Sequence, residues 1–281
     1  MEQEKLKLSR FIYEVGADAP FKLLLASDTH LTRADERDDE RKLHLAKRRE
    51  EVFPYAESEL KALGEIAKRE GCPIAYAGDL IDFVSEANLD AAREFCDEND
   101  VFMAAGNHEF SLYVGEAWED KAYRDQSLNR VQAAFGNGIR MSARVIGGVK
   151  LIALDNGYYL FEDEQLAFLK REAGDRLPIV LLIHTPLYSP LLHEFMLSER
   201  NQPCGYLCGT PKSEMEGYPP ERKRQQLPDK CTLETLKFIE NCAQIKLILT
   251  GHIHAGVTCE FAGRIPQVCT GLNEAALITI G

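Results

Sequence analysis

Five short apolar runs in this chain each end in a polar cluster, and that recurrence limits the fold more than any other feature. Phe21–Ala26 runs into Asp28-Thr29-His30, and residues 74–77 run into Gly78-Asp79-Leu80-Ile81-Asp82. Residues 101–105 lead to Gly106-Asn107-His108-Glu109, Ile179–Ile183 to His184, and 246–249 to Gly251-His252-Ile253-His254. Runs this short, alternating with helical patterns, read as buried strands and predict an α/β architecture. In open α/β sheets ligands bind beyond the carboxyl ends of the strands, so clusters from distant parts of the chain can converge on one crevice.

The remaining elements fit the same class. A helix is expected over 56–70, closed by Gly71 as a C-cap, with further helices over 89–99, 115–135, 162–172 and 232–241. Met141–Ile146 and Val149–Leu154 read as strands joined by the two-residue turn Gly147-Gly148. Residues 256–280 read as short strands. The charged stretch 33–51 reads as a solvated loop or exposed helix without a binding role. The 281 residues are read as one domain carrying a Pro- and Gly-rich insertion at 185–230. That insertion is either a lid or binding loop, or a disordered segment.

The residue types in the clusters point to metal chemistry. Five of the seven histidines lie in them, beside Asp and Asn. Taken alone, a strand-end histidine is more often structural; five placed this way are not explained so. Imidazoles and carboxylates suit divalent ions such as Zn, Mn and Fe. No cysteine lies in the clusters, so thiolate zinc and iron–sulfur sites are not expected there. Asp-x-His and His-x-His would each place two donors on the same side of an extended segment. Gly78, Gly106 and Gly251 allow sharp turns and close backbone approach. Glu109 reads as a structural partner, and His44 and His193 as surface or loop residues. Cys204 and Cys208 lack a second pair and do not read as a metal site.

Taken in order, Asp-x-His, Gly-Asp-x-x-Asp, Gly-Asn-His-Glu, His and Gly-His-x-His resemble the calcineurin-like metallophosphoesterases, with every ligand position kept across residues 21–270. The resemblance implies a β-sandwich of mixed sheets flanked by helices, with a dimetal site at the carboxyl ends of strands, at one sheet edge. It implies that Asp28, His30 and His254 hold one metal, that Asn107, His184 and His252 hold the second, and that Asp79 bridges them. The two ions would be Mn, Fe or Zn. His108 would lie near the leaving group, with Asp82 orienting its ring. His108 is not expected to be a ligand beside Asn107, because adjacent side chains diverge in an extended segment. The implied reaction is hydrolysis of a small phosphomonoester, nucleotide or phosphodiester by a hydroxide bridging the metals.

Two departures narrow the resemblance. The protein serine/threonine phosphatases of that family follow their second block with a phosphate-binding Arg, where this chain has Phe83. They also lack the second His of the last block, here His254. The retained Gly-His-x-His looks more like the branch of cyclic-nucleotide phosphodiesterases, purple acid phosphatases and nucleases. Two other classes stand beside this reading: a catalytically weak metal-binding scaffold for protein recognition, and a two-metal hydrolase of amide bonds. The complete ligand set and His108 argue against the first. Asn107 and the block order argue against the second.

Charge and cysteine content bound the partners. A net charge of −12 and a pI near 5.2 disfavour long nucleic acids, whose backbone calls for clustered Lys and Arg. The opening MEQEKLKLSRF has no apolar run after its basic residues, and no stretch is apolar for long enough to span a membrane. The eight cysteines read as thiols of a reducing compartment, which predicts a cytoplasmic protein. Cys72, Cys242, Cys259 and Cys269 fall in or beside apolar segments, as small buried thiols do. No oligomeric state is legible.

Overall fold

Within the single strand Phe21–Ala26, Leu23 and Leu25 enter one apolar cluster while Leu24 and Ala26 enter another, and all four are fully buried. A strand apolar on both faces must be covered on both. The computed structural model, which describes residues 6–115 and 120–281, shows how this is done. Its elements are β1 (Lys7–Tyr13), β2 (Phe21–Ala26), α1 (Glu40–Glu50), α2 (Ala56–Glu70), β3 (Ile74–Tyr76), α3 (Glu86–Glu98) and β4 (Val101–Met103). Then come α4 (Lys121–Gln132), β5 (Met141–Ile146), β6 (Val149–Leu154), α5 (Asp163–Glu172), β7 (Ile179–Ile183), α6 (Pro190–Glu194) and α7 (Pro220–Gln226). The chain closes with α8 (Lys230–Asn241), β8 (Ile245–Thr250), β9 (Val257–Phe261), β10 (Ile265–Cys269) and β11 (Glu274–Ile280).

The strands form two mixed sheets, ordered β1-β11-β2-β3-β4 and β5-β6-β7-β8-β10-β9. Their inner faces meet through Leu23, Leu25, Phe102, Leu151, Leu182 and Leu249. Helices α2 and α3 cover the outer face of the first sheet, and α5 and α8 that of the second. This is the α/β class read from the residues and the helix-flanked sandwich of mixed sheets that the resemblance implied. β2, β3 and β4 run parallel, as do β6, β7 and β8, so their carboxyl ends share one side of the molecule.

Several expectations change in detail. β1 was not foreseen; its mixed KLSRFIY pattern suits an edge strand with one wet face. α3 begins earlier than residue 89 because the Ser85 side chain caps it by accepting from the Asn88 amide. Of the helix expected over 115–135, 121–132 is helical, and 116–119 lie outside the described residues. Residues 33–51 contain α1, capped by Asp39 and closed by Lys47, Arg48 and Arg49, where basic charge suits the helix dipole.

Residues 185–230 are neither structureless nor disordered. Two of their prolines, Pro190 and Pro220, sit in the first turns of α6 and α7, where a missing N–H costs nothing. A π-helical turn at Phe195–Glu199 and a 3₁₀ turn at Lys212–Met215 complete the segment. Leu192, Met196 and Leu207 pack on Ile253 and Cys269, which docks the segment on the sandwich. Cys204, Met215 and Tyr218 form a smaller cluster of its own. His193 corrects the surface reading: it is buried, with Nε2 2.8 Å from the Tyr218 hydroxyl. All eight cysteines are free thiols, and five of them are buried. No helix among the described residues is long and apolar enough to cross a membrane.

Burial on α2 leads to one stability prediction. The Glu59 carboxyl is buried; its Oε2 accepts from the Asn273 amide at 3.0 Å, and its Oε1 meets no donor among the described residues. Burial pushes its pKa up to about 9, well above the ordinary glutamate value. Between those values the native state holds a proton that the unfolded chain has released, so stability falls as pH rises. The full slope for one such proton is about 1.4 kcal/mol per pH unit. Glu59→Gln is therefore expected to match the wild type near pH 5 and to exceed it by about 2 kcal/mol or more at pH 8, in urea unfolding. Parallel stability curves for the two proteins would contradict the assignment.

Candidate metal centre

The polar clusters lie beyond the carboxyl ends of β2, β3, β4, β7 and β8, so the site spans both sheets rather than one sheet edge. The strand alternation invoked for Asp-x-His and His-x-His does not apply. Asp28, His30, Asp79, His252 and His254 all have positive φ, between 52° and 70°. A non-glycine residue in this left-handed region is strained by roughly 1 kcal/mol or more, and such residues gather where the surroundings over-determine them. Here neighbouring loops do so. The Asp28 and His30 amides donate to the carbonyls of Gly78 and Asp79, at 3.0 and 2.9 Å. The His252 amide donates to both Asp28 oxygens, at 3.0 and 2.9 Å.

Close backbone approach explains two of the predicted glycines. A Cβ on Gly78 would lie 2.5 Å from the Gly106 nitrogen, and one on Gly106 would lie 2.2 Å from Asp79 Oδ1. Glu109 ties the same loops together. Its buried carboxylate accepts from the amides of Asp79 and Gly106, both at 2.7 Å, and of Leu80 at 2.8 Å. It is thus the structural partner expected, and burial raises its pKa to about 7.

The seven candidate ligands come together in two groups. In the first, His30 Nε2 lies 3.1 Å from His254 Nε2 and 4.0 Å from Asp28 Oδ1, which is 3.6 Å from His254 Nε2. In the second, His184 Nε2 lies 3.0 Å from His252 Nδ1 and 3.2 Å from Asn107 Oδ1. Asp79 Oδ2 stands between them, 3.2 Å from His184 Nε2 and 3.8 Å from His30 Nε2.

Tautomers decide what these distances mean. His184 Nδ1 is 2.6 Å from the Ala77 carbonyl, which only accepts, so Nδ1 carries the proton and Nε2 presents a lone pair. His30 Nδ1 donates to Asp82 Oδ1 at 3.1 Å, which likewise leaves Nε2 bare. Each lone pair therefore faces further nitrogen and oxygen acceptors. Such an arrangement is repulsive unless protons or cations enter it. With protons alone, Asp79 lifts His184 to about 9 against the effect of burial, and burial lifts Asp28 to about 7. Burial, with His30 beside it, depresses His254 to about 3, so its imidazole is neutral and able to donate a lone pair. The donor set fits two divalent ions of the Mn, Fe or Zn kind.

His108 stands outside both groups. Asn107 has helical φ and ψ of −77° and −27°, and His108 opens a 3₁₀ turn, so their divergence comes from a turn and not from an extended segment. His108 Nδ1 lies 2.8 Å from the Asp82 carbonyl and 3.1 Å from Asp82 Oδ1. Asp79 and Asp82 overcome burial and raise its pKa to about 10. His108 also lines a cavity of about 350 Å³, together with Asp79, His252 and His254.

Asp82 does more than orient one ring. The same Oδ1 serves both His30 and His108, and Arg49 closes on the carboxylate with Nε at 2.6 Å and Nη2 at 2.9 Å. Burial opposes the charge, yet these donors hold Asp82 well below the usual carboxylate range. Arg49 also stands over Phe53, which stacks on His30 at 4.2 Å. The solvated reading of 33–51 therefore fails at Arg49. Arg49→Met is expected to cost about 2 kcal/mol in urea unfolding, below the ~3–5 of a fully buried pair because Arg49 is partly exposed. A loss under ~0.5 kcal/mol, the scale of an ordinary surface change, would place the pair among those that contribute nothing.

Two further residues escaped the sequence reading. Asn156 Oδ1 accepts from the His184 and Thr185 amides, at 3.0 and 2.9 Å, and fixes the loop that carries His184. The Tyr159 hydroxyl lies 2.9 Å from His252 Nε2. Both follow β6, so Asp155-Asn156 is a sixth polar cluster at a strand end, the same signal that marked the other five.

A family profile described as calcineurin-like phosphoesterase matches residues 21–256. Among solved structures, a dimetal phosphatase from Danio rerio shares 15% identity at a TM-score of 0.50, covering 90% of this chain and 88% of that one. A phosphopantetheinyl hydrolase from Mycobacterium tuberculosis shares 12% identity at a TM-score of 0.44, with 90% of each chain covered. A 5′-nucleotidase from Candida albicans shares 14% identity at a TM-score of 0.43, with 90% of this chain and 46% of that one covered. No curated protein sequence matches the chain.

Proposed function

The chain belongs to the calcineurin-like phosphoesterase family, and from that premise we propose that it is a dimetal hydrolase of a small phosphomonoester, nucleotide or phosphodiester. The observation that carries the reading is the pair of donor groups around Asp79 Oδ2, each with a histidine lone pair facing further acceptors. In this reading Asp28, His30 and His254 would hold one ion, Asn107, His184 and His252 would hold the other, and Asp79 would serve both. Bound there, two divalent ions supply a water of lowered pKa and neutralise phosphoryl charge.

The remaining work falls to the chain's own residues. His108, protonated at neutral pH, faces the cavity and hands its proton to the departing oxygen. Asp82 positions that ring and supports its charge, while Arg49 keeps Asp82 ionised and in place. Tyr159 and Asn156 fix His252 and the His184 loop. We place the activity in the cytoplasm, on the free thiols. We treat the chain as one domain with 185–230 as its cap, because that segment docks on Ile253 between His252 and His254.

The test is a panel of aryl phosphates, nucleotides and phosphodiesters assayed with Mn, Fe and Zn in turn. Metal-dependent turnover of at least one ester is expected. Stoichiometric metal binding with no turnover on any ester would favour the recognition scaffold instead.

A further inference from the structure

The cap residues 185–230 contain six basic and six acidic side chains, in a chain whose net charge is −12. Their placement is not symmetric. Arg200 and Arg222 line the cavity over the metal-ligand cluster, and among the described residues no acidic side chain of the cap does. Among the described residues the only carboxylate lining it is Asp79, from the sandwich side.

Both arginines are seated by the cap's own structure. The Arg200 amide closes the π-helical turn on the Phe195 carbonyl at 2.9 Å, and Gln202 Nε2 returns to the Arg200 carbonyl. Arg200 makes no ion pair among the described residues. The Arg222 guanidinium stands 5.3 Å from the Tyr206 ring centroid, and Tyr206 stands edge-on to His252 at 6.2 Å. Arg222 is thus tied through one aromatic ring to a candidate ligand. The cavity, at about 350 Å³, is large enough for a small organic molecule and not only a phosphate ion.

We infer that the cap builds a second anion subsite, and that the compound cleaved carries a second phosphoryl group beyond the one at the metals. This rests on the hydrolase reading above. Charge is the reason. A phosphoryl group at the metal cluster is neutralised by the ions, so two guanidinium groups on the facing wall serve a different anion. Planar guanidinium forks match the oxygens of a phosphoryl group and hold it by charge-assisted bonds.

The experiment compares a nucleoside 5′-monophosphate, the matching 5′-diphosphate and 4-nitrophenyl phosphate, on metal-loaded wild type and on Arg200→Ala/Arg222→Ala. In the wild type kcat/KM for the diphosphate should exceed that for the monophosphate at least tenfold. The double variant should collapse that ratio through a rise in KM for the diphosphate, and Arg200→Lys/Arg222→Lys should restore part of it. An unchanged ratio, or an equal loss on all three compounds, overturns the subsite. Calorimetric binding of inorganic pyrophosphate against phosphate separates this from failure of the hydrolase reading. If no ester is turned over but pyrophosphate binds at least tenfold tighter and the double variant loses that margin, the subsite stands without the hydrolase. If pyrophosphate has no advantage in a protein that does hydrolyse esters, the subsite is wrong and the hydrolase reading survives.

Discussion

Asp79→Asn is expected to strip the centre of metal and to lower turnover by roughly 10³-fold or more, the scale of losing a principal stabiliser of transition-state charge. The reason lies in how the carboxylate is divided. Oδ1 accepts the His108 amide at 2.8 Å, and Oδ2 faces His184 at 3.2 Å and His30 at 3.8 Å. An amide can keep the first contact only by turning its NH₂ toward the two histidine nitrogens. That would put a donor where the site needs a negative acceptor, and would affect both groups at once. Elemental analysis of the purified variant should show fewer than one metal per chain. Two full equivalents would contradict the bridging position. A single ligand of one group, replaced as in His254→Ala, is expected to leave metal in the other, so the pair of variants distinguishes a shared ligand from an unshared one.

His108→Ala is expected to give the opposite pattern: metal content intact and kcat lowered by about 10²–10⁴-fold, the range for loss of a positioned general acid. His108 clusters with His30 and Asp82 but is not one of the seven residues assigned to the two ions, and it lines the cavity, so its removal is expected to empty neither position. The loss should be smaller for aryl esters, whose leaving oxygen needs little protonation, and larger for alkyl esters. An equal loss across leaving groups would assign His108 to binding charge rather than to proton transfer. Wild-type rates on alkyl esters would remove it from the reaction.

The limits of the sequence reading show at particular residues. Arg49 lay in a segment read as solvated, and His193, read as a surface or loop residue, in one read as a lid or a disordered insertion. His193 is buried because Tyr218, 25 residues on, offers it a hydrogen bond, and no local pattern records that partner. Arg49 looks like one more charge on a solvated helix until α1 is folded against Asp82. The prolines of 185–230 read as breakers, yet two of them start helices, since proline at the first helical position and proline in a loop are the same letter. Asn156 was the avoidable omission, because it follows an apolar strand as the five recognised clusters do.

Composition and period were enough for the buried strands of the sandwich, though not for the edge strand β1, since a strand buried on both faces must be apolar throughout and must end where the backbone leaves the sheet. The Asp, Asn and His residues at those ends carry their chemistry in their side chains, so a candidate metal centre was legible before any fold was known. The conformation of the ligands was not. Positive φ at Asp28, His30, Asp79, His252 and His254 is imposed by loops that hydrogen-bond to residues from about 50 to more than 200 positions away in the chain. Tertiary structure alone also decided which way His30 and His184 donate, what Asp82 holds, and that Arg200 and Arg222 both line the cavity over the cluster, because each depends on partners that sequence distance hides.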